Sequence, residues 1–67
     1  MKSLAEALPE QITRVQDLIA LYKSVPNGQF AAALMQRDID MAHKAMMEGD
    51  VAKMLTAYKE LEGWGGE

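Results

Sequence analysis

Gln29-Phe30-Ala31-Ala32-Ala33-Leu34-Met35-Gln36-Arg37-Asp38-Ile39-Asp40-Met41-Ala42-His43-Lys44-Ala45-Met46-Met47-Glu48 runs without a glycine or a proline. At about 1.5 Å per residue it makes a helix about 30 Å long. Advancing about 100° per residue from Phe30, the positions Phe30, Met41, Leu34, Ala45, Ala31, Ala42, Met35, Met46 and Ile39 fill an arc of about 180°. Packing against one neighbouring helix needs less. The other side carries Gln36, Arg37, Asp40, His43 and Lys44, a wetted face.

Reading outward, Val25-Pro26-Asn27-Gly28 forms a turn before this helix, with proline preset for its second position and glycine suited to its fourth. Upstream, Ile12, Val15, Leu18, Ile19, Tyr22 and Val25 recur at helical spacing, with Glu10 and Arg14 paired on the other side. Ser3 and Glu6 have capping-box spacing. Pro9 would clash with the Ala5 carbonyl inside a helix, so a frayed turn is expected first, then helix 1 over about 9–24 with Pro9 in its first position. Downstream, Gly49 supplies a left-handed helix end and Asp50 a cap. Helix 3 then covers about 51–62, with Val51, Met54, Leu55, Tyr58 and Leu61 along one stripe. Gly63 stops it, Trp64 is expected to fold back on Tyr58, and 63–67 form a loose tail. The expected fold is all-α: a single domain over 1–67, with a helical hairpin (helix 2 over 29–48) and a short third helix in a small three-helix bundle.

A domain of this size buries only about 60% of the surface its unfolded chain exposes, so it needs a supplement. With no cysteine, disulfides and thiolate metal sites are excluded. Association remains, and the expectation is a homodimer. The chain is 49% hydrophobic and 25% charged, as in folded globular proteins. Its net charge of -3 disfavours nucleic acid and anionic membranes. No apolar run approaches the ~20 residues of a membrane span, and a cytoplasmic location is expected.

Four features invite a chemical reading. Asp38 falls inside the apolar arc of helix 2, and Arg14 lies at the edge of the apolar face of helix 1. A structural ion pair between them is expected, with an exposed Asp38 beside an incomplete interface, or a partner-binding or catalytic role, as alternatives. Asp40 and His43 are adjacent on one helix surface, where a metal site would need more carboxylates than this patch offers, so a solvated pair with Lys44 is favoured. Met35, Met41, Met46, Met47 and Met54 suit either core or an adaptable interface. The segment from Ala45 to Tyr58 imitates a DNA-reading helix-turn-helix, yet Lys53 and Lys59 on helix 3 are offset by Glu60 and Glu62. With Ser3 and Ser24 the only serines, and no glycine-rich loop opening a helix, neither an enzymatic centre nor a cofactor site is expected.

The expectation is therefore a non-enzymatic interaction module, homodimeric through helix 2 and able to engage another protein through the same surface. The expected interface is Phe30, Ala31, Leu34, Met35, Met41, Ala42 and Ala45. The alternative is a dimeric DNA-binding regulator using helix 3.

Overall fold

Ser3 sets where the chain becomes helical: its Oγ accepts from the Glu6 amide (3.3 Å), and the Glu6 carboxylate accepts from the Ser3 amide (3.3 Å). This reciprocal box satisfies two amides that a helix start leaves free. The computed structural model describes residues 2–65. Helix α1 runs over Leu4–Lys23, α2 over Gln29–Glu48 and α3 over Val51–Glu62. Among the described residues there is no strand, and each helix packs on the other two.

Helix α1 departs from the expected start at Pro9, because proline lies inside it. Interior proline costs about 3 kcal/mol through the lost amide and the ring clash. The preceding turn offsets this. Leu8 is fully buried, Leu4 and Ala7 are half-buried, and Lys2 pairs with Glu10 across the proline. Burying one leucine side chain contributes about 1.5–3 kcal/mol, so the turn that looked frayed is held by packing.

The two punctuation marks form as their residues dictate. The Gly28 amide donates to the Val25 carbonyl (2.9 Å), closing the proline turn. Glycine is required at 28, since a Cβ there would lie 2.1 Å from the Tyr22 carbonyl oxygen. Gly49 takes φ 69°, and the Asp50 amide donates back to the Ala45 carbonyl (3.2 Å), a glycine-terminated helix end. The Asp50 side chain then accepts from the Lys53 amide (3.1 Å) and starts α3.

The core is filled by Leu8, Ile12, Val15 and Ile19 of α1, Ala32, Met35, Ile39 and Ala42 of α2, and Ala57 and Leu61 of α3. Leu18, Tyr22, Met54, Tyr58 and Trp64 close its margins. The expected loose tail is corrected for Gly63, Trp64 and Gly65. Trp64 packs on the core, and a Cβ on Gly65 would strike Leu18 Cδ1 at 2.7 Å. The remainder of that tail lies outside the described residues. No helix among the described residues is long and apolar enough to cross a membrane.

Candidate protein-interaction surface

The wide apolar arc of α2 divides into two parts. Met35, Ile39, Ala42 and Ala45 are buried, and Ala31 is half-buried. Met35, Ala42 and Ala45 are therefore corrected from interface to interior. Helix α1 is longer than expected and the C-terminal turn packs down, so the chain covers this side itself; the alanines serve close packing within the bundle. The other part is uncovered. Phe30 keeps 77% of its surface exposed and Met41 54%, with Leu34 half-buried between them. These three lie four and seven residues apart, along one edge of the helix.

Beside the C-terminal half of that edge, α2 and α3 enclose an open groove of about 360 Å³. Its floor and walls are mainly Met41 and Ala45 from α2 and Ala52, Thr56 and Ala57 from α3, and Lys44, Lys53 and Glu60 stand around it. Small side chains at 45, 52 and 57 are what leave the room. At the other end, Leu21, Tyr22, Val25 and Ala31 line a second, smaller depression, with Leu21 and Val25 exposed.

Asp38 also lines the groove between α2 and α3, and it is buried, with 5% of its surface exposed. Its expected partner Arg14 does not reach it. Instead the Trp64 indole Nε1 donates to Asp38 Oδ2 at 2.7 Å, while Arg14 Nη1 donates to the Trp64 carbonyl and Nη2 to the Leu61 carbonyl, both at 2.7 Å. Arg14 Nε is taken by Gln11 Oε1 (2.9 Å). The ion pair is thus corrected to a clasp in which the segment after α3 lies between the two residues. Arg14 prefers the carbonyls at the end of α3, where a cation meets both hydrogen-bond acceptors and the negative end of the helix dipole. Asp38 Oδ1 is sealed from solvent and has no hydrogen-bond partner; Arg37 Nε is 3.8 Å away, beyond hydrogen-bond reach.

The remaining candidates sit apart from this surface. Asp40 and His43 are exposed, and Asp40 accepts from Gln36 Nε2 (3.0 Å) and not from Lys44. Among the described residues no group of three or more His, Cys, Asp or Glu is placed to hold a metal ion. Met47 is almost fully exposed, Met46 partly so, and Met54 borders the core. On the outer face of α3, Lys53 Nζ donates to Glu48 Oε1 (3.1 Å). That hydrogen bond, the Glu48 charge and then the Asp50 charge raise the Lys53 pKa above 10.5. Ser3 Oγ caps α1, and Ser24 Oγ donates to the Leu21 carbonyl (2.6 Å), so both hydroxyls are tied to local backbone.

Trp64 is the residue the sequence reading missed at this site. Its signal was an indole N–H needing an acceptor and a lone carboxylate on an apolar arc needing a donor. No family model matches the chain, and neither a curated protein nor a solved structure does.

Proposed function

We propose that this chain is a non-enzymatic protein-interaction module that self-associates through the exposed edge of α2. One observation carries the reading: Phe30, Leu34 and Met41 form an apolar line beside an apolar groove, and no part of the described chain covers Phe30. Scattered single apolar residues on a surface are ordinary, but a line joined to a groove is a surface that association buries. The local use of both serine hydroxyls supports a binding role over covalent catalysis. The engagement of Lys53 by Glu48 weakens α3 as a phosphate-contacting element.

Sedimentation equilibrium at micromolar to millimolar concentration tests the reading. The expected mass is twice 7.4 kDa. A single-chain mass across that range removes the proposal.

A further inference from the structure

We infer that Gly63-Trp64-Gly65 is a strap that lifts from the bundle as a unit while the three helices stay packed, and that lifting it admits water to the Asp38 carboxylate on the wall of the groove between α2 and α3. The inference is independent of self-association and concerns what the groove presents.

The strap is fastened once to each helix. Trp64 Nε1 donates to Asp38 Oδ2 of α2 (2.7 Å), Arg14 Nη1 of α1 donates to the Trp64 carbonyl (2.7 Å), and the Trp64 amide donates to the Leu61 carbonyl of α3 (3.1 Å). Water can serve every one of these polar groups once the strap is up. The helices, by contrast, meet one another directly. Every buried residue of the core cluster lies on a helix, between Leu8 and Leu61, and Trp64 packs at its margin, half-buried. Lifting the strap therefore uncovers little more than one side chain, whereas unfolding exposes the whole core.

The closed state also carries a cost that the open state relieves. Asp38 Oδ1 is sealed from solvent with no hydrogen-bond partner, and a buried carboxylate oxygen left unsatisfied opposes closure. The seat itself is narrow. Gly65 takes φ 73°, and a Cβ there would come within 2.7 Å of Leu18 Cδ1.

Asp38 belongs at once to the seat of the strap and to the lining of the groove of about 360 Å³. The other charged residues of that lining, Lys44, Lys53 and Glu60, are exposed, and none of them bonds the strap. They face water whether the strap is down or up. Only Asp38 changes, from a covered carboxylate to a hydrated one, so Trp64 sets the charge that the groove presents.

Hydrogen exchange followed by NMR on the full chain measures the lifting, because Trp64 is the sole tryptophan and its indole proton gives its own signal. That proton should be protected at least about tenfold less than the amide of Ile39, a fully buried residue, and its protection should stay flat in dilute urea while that of Ile39 falls. Equal protection with the same urea dependence would mean that the strap opens only when the bundle unfolds, which overturns the inference. Trp64→Ala supplies a second readout by removing the side chain that seats the strap. Its helical circular dichroism and cooperative urea unfolding should persist, and a variant that does not fold makes Trp64 part of the core and overturns the independent strap. In the folded variant, amidation by glycinamide and a water-soluble carbodiimide, located by peptide mass spectrometry, should rise at least about tenfold at Asp38 and stay unchanged at the exposed Asp40. An unchanged rate at Asp38 would mean that other residues seal it, and would overturn control of the groove by Trp64.

Discussion

Asp38 sits in the bundle with one oxygen satisfied by Trp64 and one unsatisfied, so its cost depends on a single hydrogen bond from a residue beyond the last helix. Trp64→Phe keeps most of the ring's packing and removes only the indole donor. Hydrogen bonds to charged groups are worth about 1.5–3 kcal/mol, so urea unfolding followed by circular dichroism should show a loss in that range. Asp38→Asn keeps an acceptor for the indole and should cost less, and the two substitutions together should cost less than their sum, as coupled partners do. Additive effects would show that Trp64 acts through packing alone. Arg14→Met should loosen the same segment by leaving the Trp64 carbonyl without its side-chain donor and the Leu61 carbonyl with the Trp64 amide alone. That Asp38 is special was legible from its angular position among apolar residues. Its partner was not legible, because Arg14 and Trp64 are both plausible donors in one dimension. The choice depends on where the chain turns after Gly63, and the carbonyls at the end of α3 compete for Arg14.

Helices α2 and α3 and both connections could be read from Gly28, Gly49 and Asp50, since each of these has a stereochemical or hydrogen-bonding reason to be where it is. Helix α1 shows the limit of local rules. Proline at position 9 argues for a helix start, the capping box at Ser3 argues for an earlier one, and burial of Leu8 decides for the box. If that account holds, Pro9→Ala should stabilise the protein by about 1–3 kcal/mol by restoring a helical amide and removing the ring clash. A destabilised Pro9→Ala variant would mean that the helix needs the proline. Gly49→Ala places a Cβ in the left-handed region and should cost about 1–2 kcal/mol, read as a lower Tm, although nothing crowds that position. The junction of α2 and α3 also carries a titration. The raised Lys53 pKa means that its contribution is fully present below 10.5 and is lost as pH rises through the folded value. Near neutrality, therefore, the titration of Lys53 should leave stability unchanged with pH. In Glu48→Gln, an NMR titration should find the Lys53 midpoint lowered toward 10.5, because the largest causes of its shift are gone.

For the molecule as a whole, the question is whether its surface suits a lone chain. A folded monomer of 7.4 kDa is expected to expose about 4200 Å², whereas this chain exposes 4619 Å². The proposed self-association would reduce this exposure, and the edge of α2 is where it would do so. The width of the arc was legible in the sequence; how much of it the chain would hide was not, because that depended on the added turn of α1 and the folded-down Trp64. Association that stabilises the native state must make melting depend on concentration. For a chain this short, Tm should rise by a few degrees for each tenfold increase in protein above the dissociation constant. Phe30→Ala should abolish that rise. Phe30 touches little of its own bundle, so at high dilution the variant and the parent should melt together, within about 0.5 kcal/mol. Curves that diverge with concentration and converge on dilution place Phe30 in an intermolecular contact. Curves displaced by the same amount at every concentration would instead place it in the service of its own chain, and the edge of α2 would then lose its claim to a partner.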